Sequence, residues 1–554
     1  MIRLALAIAA LAAGIAPSAP AADQVRVAWF DYRGQGPAEP APGQYRNPIV
    51  AGFHPDPIIV RVGADFYMVN STFSWFPGIP VWHSRDLVHW RQIGNAIDRP
   101  GQLDFARRGM SEGVFAPDIS HHAGRFYIVN TCVECGGNFV ITARDPAGPW
   151  SDPVWLPTVE GIDPALFVDR DGSAWLVNNR APATAPRYDG HRAIWIEGFD
   201  LATLKMKGNP RLLVDGGVDP ASKPVWIEGP HILIGPDGGY YLIAAEGGTS
   251  TQHSQVVFRA DAVTGPYRPA PPSINPILTQ RDLDPARPNP VTSAGHADLV
   301  QLADGGWWAT FLGTRPYRGD LYNTGRETFL LPVTWQRGWP VILPHGQAIP
   351  ALAKAPALPA SAAPPQTGGL GYRDTFDGRA LGPAWLAMRG SAGRVAGGDL
   401  MLDPRCDGIG DMGQPSFVGR RQQHADATVE IALRASPAEG GETGLVAVQD
   451  DAHFLGLAMT RSDGRLALRA FRRDGKGDPA AGRTLATLPL PASAAGSEIG
   501  FRMIARGGVY DLGYALQPGR WRWAAQGVDG TNLSTATAGG FTGTVIGPYA
   551  RRRC

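Results

Sequence analysis

Five polar or titratable residues stand at the start of short strand-forming segments: Asp56 in "HPDPIIV", Asp118 in "APDIS", Asp163 in "GIDPALFV", Glu228 in "WIEGPHI" and His296 in "GHADLV". Carboxylates and imidazoles take up and hand on protons in water, so a cluster of such groups would suit acid–base chemistry on a substrate bond. Asp56 is the most constrained of the five, because Pro55 and Pro57 on either side limit the backbone that carries it. These residues lie far apart in sequence, and they form a site only if the fold brings their segments to one place.

A repeat supplies that convergence. A glycine turn followed by β-forming, mostly aromatic residues occurs five times, in "GADFYMVN", "GRFYIVN", "GSAWLVN", "GGYYLIA" and "GGWWATF". Aligned on Tyr67, Tyr127, Trp175, Tyr241 and Trp308, the copies are spaced 60, 48, 66 and 67 residues apart. Such intervals suit four-stranded propeller blades with variable loops. The five polar residues precede those aromatics by 11, 9, 12, 13 and 12 residues. If each begins the innermost strand of its blade, all five point toward a central axis. Polar residues often begin strands for turn reasons alone, but the fivefold register favours the axial reading.

The chain of 554 residues is 44% hydrophobic and 18% charged, enough for two or more domains. Lys plus Arg (51) balance Asp plus Glu (50), and no basic tract is long enough to track a phosphate backbone, so nucleic acid is not an expected partner. The abundant Gly (70) and Pro (50) favour many short strands over long helices. After residue 350, "ALAKAPALPASAAPPQTGG" reads as an Ala/Pro-rich linker, placed at 348–370. It separates a propeller at 45–347 from a second unit at 371–554, where "ATVEIALRA", "TGLVAVQD", "RLALRAFRR" and "EIGFRMIAR" alternate as in an antiparallel β-sandwich. The expected class is therefore all-β, a propeller followed by a jelly-roll-like sandwich.

The N-terminus has one basic residue, Arg3, an apolar run from Leu4 to Ile15, and small residues around Ala19 to Ala22. That pattern reads as a signal peptide over residues 1–22 and implies export to a periplasmic or extracellular setting. The run is shorter than the roughly 20 residues a membrane helix needs, no other segment looks membrane-spanning, and no cysteine near the cleavage site suggests a lipid anchor. Of the four cysteines, Cys132 and Cys135 in "TCVECGG" suit a local disulfide or free thiols. They lack the second pair a structural zinc site needs.

At this level of detail the chain resembles glycoside hydrolase family 43, in its two-domain β-xylosidase and α-L-arabinofuranosidase branch. The resemblance is carried in order by "YRNPIVAGFHPDPIIVRVGADFYMVNSTFSWFPGIPVWHSRDLVHW", "GVFAPDIS", "GIDPALFVDRDG", "WIEGPHI", "AEGGT", "TSAGHADLV" and "GRETFLLPVTW", and later by "FVGRRQQH" and "GGFTGTVIGPYA". It implies a five-bladed propeller, in agreement with the repeat count. It further implies inversion of anomeric configuration, with Asp56 as general base, Glu228 as general acid and Asp163 as the third carboxylate, which raises the acid's pKa and orients it. It places Arg326 of "GRETF" and His296 at the pocket, with a structural pairing of Arg326 to Glu327 as the competing reading. It offers Trp75, Phe76 and Phe115 as aromatic walls, Trp75 first. Asp118 receives no catalytic role and suits the fixing of backbone N–H groups. The resemblance requires no cofactor, although in some members a calcium lies near the residue matching His296. It also implies a sandwich loop that closes the pocket to a dead end. The implied substrate is an oligosaccharide with a terminal β-1,4-linked xylose, or an arabinofuranosyl side chain; a non-catalytic sugar-binding propeller is the reading from another class. An oligomer remains compatible with all of this.

Overall fold

The computed structural model describes residues 24–36, 39–359 and 370–554. The signal-peptide reading and much of the linker reading fall outside the described residues. Strands dominate: the helical elements among the described residues are three 3-10 turns and the single turn Thr535–Ala538. No described helix is long and apolar enough to cross a membrane.

Five antiparallel sheets form the blades. Their innermost strands are Ile58–Val62, Asp118–His122, Ile162–Val168, Glu228–Ile234 and Thr292–Gln301, and each pairs with the next strand outward in sequence order. The aromatic repeat forms the second strand of each blade. Tyr67, Tyr127, Trp175, Tyr241 and Trp308 stand opposite Val60, Ser120, Phe167, Leu233 and Val300 of the inner strands. Alternating side chains on these strands pack blade against blade, as where Ile58, Val69 and Val81 of the first meet Ile119, Ile128 and Ile141 of the second.

The ring closes through the segment before the first blade. Gln44–Arg46 pairs with Leu352–Lys354, and Val50 bridges Thr328 of the fifth blade. Asn47 accepts from the Leu330 N–H at 3.0 Å, and Ile59 N–H of the first blade donates to Asp298 of the adjoining fifth blade at 3.0 Å.

The second unit is a two-sheet sandwich, and it is not built from the C-terminal part alone. Strand Val25–Gly34, far upstream of the propeller, lies in the middle of the first sheet, paired with Asp426–Arg434 on one side and with Asp399–Leu402 and Gly371–Asp374 on the other. The second sheet runs from Arg483–Pro489 through Glu442–Val448 and Val545–Arg551 to Leu386–Met388. Its last strand is Trp75–Phe76, lent by the first blade's connection. Val27, Phe30, Ile431 and Phe501 of one sheet meet Leu445, Leu455, Leu457 and Leu468 of the other in the core. The propeller thus lends a strand to the sandwich, and main-chain hydrogen bonds as well as packing join the two units.

Trp75 is where the structure departs from an expectation. Its ring is fully buried between the two units, 6.1 Å from Phe417, and its backbone pairs with Met388. Recruitment of this segment into a sandwich sheet turns the indole inward, so Trp75 is interface core and offers no face to a sugar.

Candidate active site

The strand mouths share a backbone device. Asp56, Asp163 and His296 have φ of 52°, 53° and 50°, and Gly229, just after Glu228, has φ of 53°. In three of the four cases the next residue is proline, which disfavours the helical region for its predecessor. Left-handed backbone at a non-glycine residue costs of the order of 1–3 kcal/mol and persists only where its surroundings over-determine it. Here the surroundings do so. Asn70 donates to the carbonyls of His54 (3.2 Å) and Pro55 (2.9 Å), Thr328 donates to His54 O at 2.7 Å, and Trp82 holds Asn70 at 3.0 Å. Register shifts follow in the inner strands carrying Asp163, Glu228 and His296. Bulges of this kind re-aim side chains next to sites.

The result is a buried carboxylate cluster on the propeller axis. Asp56 accepts a short hydrogen bond from the Ser71 hydroxyl and pairs with Arg326 at 3.3 Å. Burial alone would push its carboxyl up, but Arg326, His296 and Ser71 outweigh burial and hold it below the ordinary aspartate range. Glu228 goes the other way. Burial first, then the charge of Asp163, raise its carboxyl to about 8. Asp163 accepts from the Gly229 N–H at 3.0 Å, which ties the carboxylate to the backbone next to Glu228, and lies 3.8 Å from His296 Nε2. Burial would lower the His296 imidazole, yet Asp56, Asp163 and Glu228 raise it to about 9. Gly229 has a strict requirement, because a Cβ there would stand 2.6 Å from His296 Nε2.

The alternative partner for Arg326 is engaged elsewhere: Glu327 is held by Arg315 at 2.6 and 2.7 Å and by the Gly52 N–H. Asp118 accepts from the Leu166 N–H at 3.0 Å and faces His231 at 3.6 Å, so it staples the second blade to the third and fourth. Phe115 is half-buried, 5.3 Å from Phe73 and 5.6 Å from Phe541.

Phe541, in the sandwich loop "GGFTG", was not singled out by sequence reasoning. It stacks on Phe73 at 5.5 Å and covers the Arg326 guanidinium at 5.5 Å. Its N–H donates to Ser111 Oγ at 2.9 Å, and the Thr544 N–H donates to Asn323 O at 2.9 Å. Gly543 and Gly325 touch so closely that a Cβ on either would lie within 3 Å of the other. A sandwich loop therefore forms part of the wall around the axial cluster. His253 was also missed: its Nδ1–H donates to Ser293 O at 3.0 Å, and burial lowers the ring to about 4, leaving a neutral Nε2 acceptor.

Calcium takes six to eight oxygen ligands. Around His296 stand the carboxylates of Asp56, Asp163 and Glu228, with the His253 ring and the Gln255 side-chain amide that accepts from Ala297 N–H. Among the described residues no group of His, Cys, Asp and Glu side chains is arranged to hold a metal ion.

Both cysteine pairs are disulfides, Cys132 with Cys135 and Cys406 with Cys554. The second crosslinks residues 148 apart and had no sequence signal.

Comparison with known proteins places these features. Residues 45–340 match the model of glycosyl hydrolases family 43, and residues 373–553 match that of the beta xylosidase C-terminal Concanavalin A-like domain. A xylosidase/arabinosidase of Butyrivibrio fibrisolvens is 35% identical over 510 residues, covering 91% of this chain and 95% of that protein. A non-reducing end alpha-L-arabinofuranosidase of Bacteroides ovatus is 35% identical over 526 residues, 91% of each. Among solved structures, a GH43_12 protein retrieved from a capybara gut metagenome superposes with a TM-score of 0.87 at 35% identity, covering 96% of this chain and 100% of that one.

Proposed function

The chain belongs to glycosyl hydrolase family 43 and is a glycosidase, and we propose that it removes a terminal pentose from the non-reducing end of xylo-oligosaccharides with inversion, Asp56 acting as general base and Glu228 as general acid. The observation that carries these roles is the opposite tuning of two carboxyls on one axis, Asp56 held ionised by Arg326 and Glu228 held protonated to about 8 by burial and Asp163. An ionised Asp56 takes a proton from water as that water attacks the anomeric carbon; Glu228 gives its proton to the departing glycosidic oxygen. Asp163 keeps Glu228 charged with its proton through repulsion and fixes the adjoining peptide. Arg326 and His296 steady the anionic base. Phe541 and Phe115, both half-buried, offer apolar faces to a sugar ring, and the buried Phe73 backs them.

A second reading, release of α-L-arabinofuranosyl groups, is favoured by the names of the two relatives above. Rates on aryl β-D-xyloside and aryl α-L-arabinofuranoside decide between them: the xyloside should be preferred, and a strong preference for the arabinoside reverses the order. Proton NMR of the first-formed sugar should show the inverted anomer.

The pH profile of kcat/KM follows from the signs. The base must be deprotonated, so activity falls only as pH drops through the depressed pKa of Asp56, below the ordinary carboxylate value. The acid must be protonated, so activity falls as pH rises through about 8. An alkaline limb centred near an ordinary glutamate pKa would exclude Glu228 as the acid.

Phe541→Ala should raise KM roughly three- to tenfold, the worth of one aromatic contact, with kcat changed less. Unchanged KM would remove the sandwich loop from the binding wall.

Export is part of the same proposal. Two disulfides support an oxidising compartment, and detection of activity in periplasmic or culture fractions tests it.

A further inference from the structure

The second sandwich sheet has one face in the core and one outside it. Near the propeller the outer face is covered, where Phe417 and Val446 meet Phe53, Phe73 and Trp75. Farther along, the same face carries Glu442, Phe454, Phe471, Tyr549 and Arg551 from four consecutive strands, and here a cavity of about 260 Å³ lies between the sheet and the loop of Gly408, Ile409 and Asp411. Gly456 stands opposite Phe471 and admits its ring, which a Cβ there would press to 3.0 Å. The loop is pinned to the strand it covers. Cys406 is bonded to Cys554, Arg551 Nε donates to Cys406 O at 3.2 Å, and Arg552 N–H donates to Arg405 O at 2.9 Å.

The lining combines rings with unused polar atoms. Phe454 and Phe471 pack edge to face at 6.1 Å. Glu442 Oε1 is held by Arg469 at 2.7 Å and Asp411 Oδ2 by the Gly408 N–H at 2.7 Å. The second oxygen of each carboxylate and the terminal nitrogens of Arg551 have no partner among the described residues. Burial pushes the Tyr549 phenol up, so it stays a neutral hydroxyl. The two carboxylates are balanced by Arg469 and Arg551, which favours neither an anion nor a cation. The two phenylalanine rings are about 2% exposed and leave polar atoms as the larger part of the accessible lining, which an uncharged polyhydroxyl ligand satisfies. The volume lies below the roughly 300–1,000 Å³ of pockets for larger ligands, which suits one sugar ring.

We propose that this cavity is a second saccharide site, lined by none of the axial residues, that takes a single pentose ring, either free or at the end of a chain. The identity of the ring as a pentose rests on the function proposed above; the existence of a site rests on the cavity. The test is calorimetric titration of the full-length Glu228→Gln variant with xylobiose and, separately, D-xylose. Two equivalents of xylobiose should bind. Gly408→Leu, whose new side chain starts 3.2 Å from the Tyr549 hydroxyl and 3.4 Å from Arg551 Cδ, should reduce this to one. In the otherwise wild-type chain it should leave aryl xyloside hydrolysis unchanged. Arg551→Ala should weaken the second site roughly tenfold, as expected for loss of a charged hydrogen bond, and it decides the matter if the leucine variant does not fold. A single equivalent in the parent, or two unweakened equivalents in both variants, overturns the proposal. D-Xylose binding at the second site identifies free pentose as sufficient; xylobiose alone binding there identifies a chain end. Failure of the pentosidase reading has a different signature, absence of hydrolysis of both aryl pentosides by the wild-type enzyme.

Discussion

Asp56→Asn is expected to lower kcat/KM by about 10²–10⁴-fold, the usual worth of a positioned general base, and to do so equally on xylobiose and on an aryl xyloside with a good leaving group. The equality is the informative part. Easier departure of the aglycone cannot replace activation of the attacking water, because the two events occupy opposite faces of the sugar. The amide keeps the size of the side chain and still accepts from Ser71, so the geometry of the "HPDP" turn should survive. It does remove the charge partner of a buried arginine, 3.3 Å away, and breaking a buried pair can cost roughly 3–5 kcal/mol of stability. Thermal melts of both proteins, with rates taken well below both transitions, separate lost chemistry from lost fold. A folded variant with near wild-type activity on either substrate would refute the base assignment.

The parts of this fold that were legible in the sequence are those written locally. A blade is four neighbouring strands joined by short turns, so each repeats a glycine turn and an aromatic second strand, and the register of Asp56, Asp163, Glu228 and His296 against Tyr67, Trp175, Tyr241 and Trp308 could be counted directly. What was not legible depends on pairings distant in sequence. Nothing within Val25–Gly34 indicates that its partner is Asp426–Arg434, and nothing around Cys406 indicates Cys554. Trp75 was misplaced because an aromatic beside an active-site strand looks the same whether it faces a pocket or a second domain, and its pairing with Met388 decided the matter. Phe541 was hidden for a related reason. It belongs to the sandwich in sequence and to the propeller mouth in space, and the signal that could have found it is the glycine at 543, needed where two loop backbones touch.

Glu228→Gln should separate substrates that Asp56→Asn does not. On xylobiose, whose leaving group is a sugar hydroxyl, loss of the proton donor should cost about 10²–10⁴-fold in kcat. On an aryl xyloside whose leaving group is stable as an anion, most of that loss should disappear, since departure no longer needs the proton. The same variant predicts a change of pH profile. The wild-type alkaline limb reports a carboxyl raised to about 8 by burial and Asp163; with an uncharged amide in its place, that limb should vanish on the activated substrate. The acid limb should persist, because it belongs to Asp56. An equal loss on both substrates would mean that residue 228 positions the sugar without donating a proton. Persistence of the limb near pH 8 would move the titration to another group on the axis, with His296, raised to about 9 by the same carboxylates, as the next to be tested.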